Sequence, residues 1–293
     1  MKVEAECAAC IISRGAAEAK EATSNPALRF RAMSELLQLM RKEFRPTSVP
    51  ADIGTKRDRI IKRVTGNVDP YGRKKRTSNE KALMVLPYAR KYVEEGYAQQ
   101  DRFKRACLCA IVGNVMEFDI PGHKFVFGNL RKNLRDASKE LVVDDTIAIY
   151  ELARKMHTAI YLADNAGEIV LDTLLVEQLR DLGLTVTVAV KSGAVINDAT
   201  LEDAQASGMT KVADNVMTTG TDAVGFAAND VSPEFLRVYD SVDLVFAKGM
   251  GYAETLTEYN LRKPHVLLFR TKCDPVADYF NVPRERNVAK LMR

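Results

Sequence analysis

Apolar and polar positions follow two different periods along this chain, and the change falls near residue 157. Before it, apolar residues recur at helical spacing. Residues 6 to 21 are rich in Ala and Glu, and Asn25-Pro26 opens a second helix to about residue 44, striped by Leu28, Met33, Leu36, Leu37 and Met40. Further helices are predicted over 52–65, 78–96, 101–112, 127–137 and 144–156. After His157, short apolar runs rich in β-branched and aromatic residues recur at 158–162, 184–190, 242–247 and 264–270, with a weaker one at 210–213. Helical segments separate them. Such alternation predicts a mostly parallel, Rossmann-like sheet with helices on both faces. The expected division is a helical domain over 1–156 and an α/β domain over 157–293, which would bind metal and substrate.

The first strand of the second half ends in Ala163-Asp164-Asn165-Ala166-Gly167-Glu168 and runs into a helix. Open parallel sheets bind ligands in the crevice at their carboxyl edge, which is where this junction falls. Asp164 and Asn165 carry hard oxygen donors suited to a divalent cation, Gly167 admits a close backbone approach, and the helix start favours an anion. Either polar residue is equally suited to capping the helix.

Two more strands end in polar clusters. One delivers Lys191-Ser192-Gly193-Ala194 and then Asn197-Asp198, with Glu202 and Asp203 beyond, and the other delivers Lys248-Gly249-Met250-Gly251-Tyr252 and Glu254. Parallel strands share one carboxyl edge, so these groups should converge on Asp164 and Asn165. Carboxylates with an amide oxygen can hold a metal, while Lys191 or Lys248 stabilises charge on a phosphoryl group and Asp203 or Glu254 serves as general base or hydroxyl ligand. The loop Thr218-Thr219-Gly220-Thr221-Asp222 has the composition of an anion-binding turn, and equally of an ordinary one. Gly113-Asn114 reads as a helix C-cap, with a second reading in which Asn114 turns to the ligand.

Composition narrows the classes. A net charge of +4 over nearly balanced acids and bases gives no case for nucleic acid, and the cluster Arg73-Lys74-Lys75-Arg76 reads as a solvated loop or a contact with an anionic substrate. No apolar run approaches the ~18 residues of a membrane span. The acidic start Met1-Lys2-Val3-Glu4-Ala5-Glu6 is unlike a signal peptide, so a cytoplasmic location is expected. Cys7, Cys10, Cys107 and Cys109 would form a four-thiolate zinc site if their helices met, against the commoner reading of buried free thiols. Cys273 stands apart.

In order and spacing, Cys7-x-x-Cys10, Gly113-Asn114, Asp164-Asn165-Ala-Gly-Glu168, Lys191 through Asn197-Asp198 to Asp203, and Lys248-Gly-Met-Gly251 together resemble the metal-dependent damage-control phosphatases. The resemblance implies a helical amino-terminal part on an α/β/α sandwich, and hydrolysis of small phosphorylated metabolites, such as sugar phosphates or damaged phosphometabolites, with Mn, Co, Ni or Mg. It implies that Asp164, Asn165 and Asp198 hold the metal, and that Glu168, Lys191, Asn197, Asp203, Lys248 and Glu254 line the substrate pocket. Two positions depart from the family pattern, Ala194 where Pro is usual and Tyr252 where Asn is usual. The alternatives are an S-adenosylmethionine-dependent carboxyl methyltransferase, which would want a Gly-rich turn after the first strand, and a noncatalytic binding module.

Overall fold

The computed structural model describes residues 1–113 and 130–293. Three helices come first, α1 (Ala5–Ala22), α2 (Pro26–Glu43) and α3 (Pro50–Thr65), followed by the longer α4 (Gly72–Glu94) and α5 (Gln99–Gly113). The sequence signals act as expected at several ends. Asn25 accepts from the backbone N–H of Ala27 at 2.9 Å, and Gly66, at φ +72°, closes α3. Residues 1–3 and α1–α3 are held together by two small cores, one around Leu36 and Ile53 and one around Ala32 and Ile61.

Next come α6 (Leu130–Lys139), β1 (Leu141–Asp144), α7 (Thr146–Ala153), β2 (Thr158–Leu162), α8 (Glu168–Asp181) and β3 (Thr185–Val190). The chain continues through α9 (Leu201–Ala206), α10 (Met209–Val212), β4 (Asn215–Thr218), α11 (Pro233–Ser241), β5 (Leu244–Lys248), α12 (Gly249–Leu256), β6 (His265–Arg270), α13 (Asp274–Tyr279) and β7 (Asn287–Met292). The seven strands form one sheet in the order β1-β7-β6-β5-β2-β3-β4, parallel throughout except for the β6–β7 pair. The chain leaves β2 for β3 on one side and later returns to lay β5 against the other, so the topological switch point lies between β2 and β5.

Side chains alternate across the sheet. Tyr161, Val188 and Phe246 point into a core shared with α4, α5 and α8, whereas Ile160, Leu162 and Val245 point into one shared with α11 and α12. This makes the sandwich, and it does not confirm an all-helical first part. From the first half, α4 and α5 form part of the sandwich's own helical layer, and β1 joins the sheet beside β7. The predicted weak strand at 210–213 is corrected. Met209–Val212 is one helical turn, and the strand, Asn215–Thr218, starts after Asp214.

Candidate active site

Beyond β2 the backbone continues its ladder for one residue, with Ala163 N–H on the carbonyl of Ala189 at 3.0 Å, and then turns. The loop after β3 folds back over that turn. Ala199 donates to the carbonyl of Asp164 at 2.7 Å, and Ala166 donates to the carbonyl of Asn197 at 2.9 Å, which makes an isolated antiparallel bridge between Asn165 and Asp198. Asp164 and Asn165 therefore meet Asp198, more than 30 residues further along the chain, at the switch point. The return loop is strained. Ile196 is β-branched yet has φ +47°, a conformation that costs on the order of 1–3 kcal/mol. Asp58 of α3 holds it there, accepting the Ile196 N–H at 3.1 Å, while Lys62 donates to the Ala194 carbonyl at 2.5 Å.

Asn165 donates through Nδ2 to Asp164 Oδ2 at 2.8 Å and to Glu168 Oε2 at 3.0 Å. Burial pushes the Asp164 carboxyl well above the usual range, and the charges of Glu168 and Asp198 add to it. Burial likewise raises Asp198 to about 7, against the pull of Lys191. Lys191 Nζ lies 3.9 Å from Asp198 Oδ2, donates to the Gly225 carbonyl at 2.8 Å and the Tyr252 hydroxyl at 3.3 Å, and stands 4.7 Å from the centre of the Tyr252 ring. Tyr252, the departure from the family pattern, is thus the aromatic wall of this lysine's cage.

Lys248 ends β5 and is completely buried. It pairs with Glu168, lies 3.1 Å from Asp172 Oδ1 and donates to the Ala110 carbonyl at 2.8 Å. Burial alone would lower its pKa, but Asp172 and Glu168 outweigh that and raise it, so the ammonium stays charged. Its donors point at the protein. Four carboxylates, those of Asp164, Glu168, Asp172 and Asp198, therefore interact with two buried ammonium groups, and both aspartates nearest the crevice resist ionisation.

That excess of buried negative charge suits a divalent cation, and so does the hard-oxygen donor set of two carboxylates and an amide. Among the described residues no three His, Cys, Asp or Glu side chains form a metal-binding group, so a set built here would need the amide oxygen of Asn165 beside the two carboxylates.

Other expected site residues are placed differently. Asp203 sits in the capping box of α9: Oδ2 accepts from the Thr200 N–H at 2.9 Å and hydroxyl at 2.8 Å and from Lys75 at 3.2 Å, and Oδ1 accepts from Asn79 at 2.8 Å. Thr219 is buried and donates to the Thr221 carbonyl at 3.2 Å. Gly220, at φ +79°, packs so tightly on the α11 cap that a Cβ would fall 2.4 Å from that of Ser232. Asp222 holds Arg59 and Lys62 of α3. Asn197 supplies its backbone to the bridge and leaves its side chain exposed. Glu254 faces a cavity beyond the carboxylates, lined also by Cys7, Cys10 and Cys273. Asn114 lies outside the described residues. The four-thiolate zinc site is corrected too: Cys107 and Cys109 are fully buried in the sandwich core, whereas Cys7 packs with α1–α3 and shares a cavity with Cys10 and Cys273.

Three participants escaped sequence reading. Lys75 and Asn79 belong to α4, where Asn79 Oδ1 accepts the Gly167 N–H at 2.6 Å and so ties the turn after β2 to the helix. Their signal was present. Positions 75, 79, 82, 85, 89 and 93 fall on one buried helical face, so Lys75 belongs to that face and not to a solvated loop. The third is Lys272, just past β6, close enough to Asp164 to lower its pKa and part of the cavity wall.

Fold and crevice together are those of an open-sheet α/β protein with an acidic crevice at its switch point. The family model for the damage-control phosphatase ARMT1-like domain matches residues 3–288, and the chain belongs to this family. It is 34% identical over 293 residues to a damage-control phosphatase of Archaeoglobus fulgidus, covering 100% of both chains. To a damage-control phosphatase of Pyrococcus horikoshii it is 32% identical over 286 residues, covering 97% of this chain and 96% of the relative. The crystal structure of a DUF89 family protein from Pyrococcus horikoshii superimposes with a TM-score of 0.89 at 32% identity, covering 99% of this chain and 98% of that one. These relatives support a phosphatase in metabolite repair and do not favour the methyltransferase alternative. No helix among the described residues is long and apolar enough to cross a membrane.

Proposed function

We propose that this protein is a metal-dependent phosphatase of small phosphomonoesters, among which the family resemblance points to sugar phosphates and damaged phosphometabolites. The observation that carries the proposal is the Asn165–Asp198 bridge, which sets two carboxylates of raised pKa together above Lys191. Asp164, Asn165 and Asp198 would hold a divalent cation of the Mn, Co, Ni or Mg kind, which supplies charge for the phosphoryl oxygens and a water activated for attack. Lys191 and Lys248 act from beneath, Lys191 beside Asp198 and Lys248 paired with Glu168 and Asp172, and each lowers the pKa of the aspartate it faces against the effect of burial. Lys272, half-buried at the rim beside Asp164, is positioned to attract the dianionic ester. Gly167, at φ +79°, lets the chain enter α8 beside the carboxylates.

The test is phosphate release from a phosphomonoester panel with each metal, in wild type, Asp164→Ala and Asp198→Asn. Both variants should fold and lose at least about 100-fold in kcat/KM. Undiminished turnover in a folded Asp198→Asn variant would remove Asp198 from the metal set. Saturable binding of S-adenosylmethionine without metal would replace the proposal by methyl transfer.

A further inference from the structure

Asp198 reaches the crevice on one tight turn. Its N–H donates to the Val195 carbonyl at 3.0 Å, which closes the turn 195–198, and its two chain neighbours bond to the loop after β2 through the Asn197 carbonyl and the Ala199 N–H. The place of the Asp198 carboxylate relative to Asp164 is therefore set by the backbone of this turn. The turn's first central residue is Ile196, half-buried and at φ +47°. Gly, Asn or Asp ordinarily meets a demand for positive φ there, and a β-branched residue very rarely does. The turn does not hold itself, so a group outside it must.

Helix α3 supplies that hold. Its Ile53 and Ile61 are buried in the cores shared with α1 and α2, while Thr55, Asp58, Arg59 and Lys62, on another face, meet the loops beyond β3 and β4. Asp58 is completely buried. Its Oδ1 accepts the Ile196 N–H at 3.1 Å, and its Oδ2 lies 2.7 Å from Lys62 Nζ. Lys62 in turn donates to the Ala194 carbonyl at 2.5 Å and to Asp222 Oδ2 at 2.8 Å. The pair grips the chain on both sides of Val195, and neither residue belongs to the donor set of Asp164, Asn165 and Asp198.

We infer that Asp58 is a positioning residue for the metal site: by holding Ile196 at positive φ it keeps Asp198 within reach of a cation shared with Asp164, so that α3 governs how tightly the cation is bound. The inference rests on the metal-dependent function proposed above and assigns control of that site to the helices ahead of the sheet. Its mark is a dependence between two residues outside the donor set. Glycine adopts positive φ without strain, so with glycine at 196 the turn keeps its shape unaided and Asp58 becomes dispensable. Asparagine at 58 keeps an oxygen for the Ile196 N–H and removes the charge, which separates the hydrogen bond from the field of the carboxylate.

The experiment titrates each protein with Mn(II) alone and reads the free ion by electron paramagnetic resonance, which needs no turnover. Asp164→Ala should abolish saturable binding, which marks it as binding at this site. Asp58→Ala should weaken it by at least about tenfold, equivalent to about 1.4 kcal/mol. Asp58→Asn and Ile196→Gly should each stay within about threefold of wild type, and Asp58→Ala combined with Ile196→Gly within about threefold of Ile196→Gly alone. If Asp58→Ala does not fold, Lys62→Met withdraws the ion pair that fixes Asp58 and the bond to Ala194. It should weaken binding about fivefold with isoleucine at 196 and leave it unchanged with glycine there. Affinity unmoved by Asp58→Ala, lost equally in Asp58→Asn, or lost equally with glycine at 196 overturns the inference and leaves the metal-dependent phosphatase standing. Saturable binding absent from wild type, or unchanged in Asp164→Ala, overturns the metal site and the inference with it.

Discussion

Gly249 is the residue against which Asp164 is set: a Cβ on it would fall 1.9 Å from Asp164 Oδ2 and 2.4 Å from its Cγ. The same glycine has φ +76°, where an L side chain is strained, so both space and backbone demand its absence. The two residues follow the strands on either side of the switch point, β2 and β5, and their contact fixes the carboxylate across the crevice. Gly249→Ala should therefore displace Asp164. We expect kcat/KM for phosphate release to fall by about 100-fold or more and the protein to lose on the order of 1–3 kcal/mol of stability. Steady-state kinetics beside thermal melting checks both, and a variant with full activity would show that Asp164 need not sit where it does.

Lys248 lies below the crevice in a cluster that is wholly shielded from water, paired to Glu168 and Asp172. Replacing it by Met leaves two buried carboxylates without their cation, which should cost about 3–5 kcal/mol. Adding Glu168→Gln and Asp172→Asn should restore part of that loss, because the uncompensated charge disappears. Urea denaturation of the single and triple variants measures this. A cost under about 1 kcal/mol for Lys248→Met would mean that the ammonium is not structural and would return it to the substrate's side of the crevice.

Asp203 separates two roles by their readouts. Its carboxylate caps α9 and ties that helix to Lys75 and Asn79 of α4, leaving neither oxygen without a partner. Asp203→Asn should lower stability by about 1–2 kcal/mol while kcat stays within about tenfold of wild type. A general base replaced by an amide would instead lose kcat by about 100-fold or more with the melting temperature unchanged.

Much of the sheet was legible because fully buried parallel strands are short apolar runs, as Thr158–Leu162 and Leu244–Lys248 are. Their polar ends were legible for the same reason: Asp164, Lys191 and Lys248 each follow abruptly on an apolar run. β1 and β7 were not, since Leu141–Asp144 is only four residues long and half-buried to exposed, and Asn287–Met292 shows no alternation. Pairing across the sheet decides them, and no local period reports it. The site divides similarly. The return of Asp198 onto Asn165 follows from strand adjacency, but whether a lysine points into the crevice or beneath it does not. Lys248 and Lys191 look alike in sequence to Lys272, and only the positions of Glu168, Asp172 and Tyr252 show that the first two are internal cations.

Glu254 gives a pH test independent of the proposed metal residues. It is half-buried in the cavity wall, and burial raises its pKa to about 7, although Arg14 and the amino-terminal ammonium pull the other way. In the unfolded chain the group ionises near 4.5. Between those values the folded protein holds a proton that the unfolded chain has lost, so its contribution to stability falls as pH rises from about 4.5 and levels off above about 7. Glu254→Gln keeps the neutral shape at every pH. It should match wild type near pH 4.5 and exceed it by about 1–2 kcal/mol at pH 8, the smaller figure allowing for partial exposure to solvent. Denaturant unfolding of both proteins across that range reads the difference directly. A Glu254→Gln variant destabilised by the same amount at both ends would show instead that the carboxylate is ionised in the fold and held by Arg14.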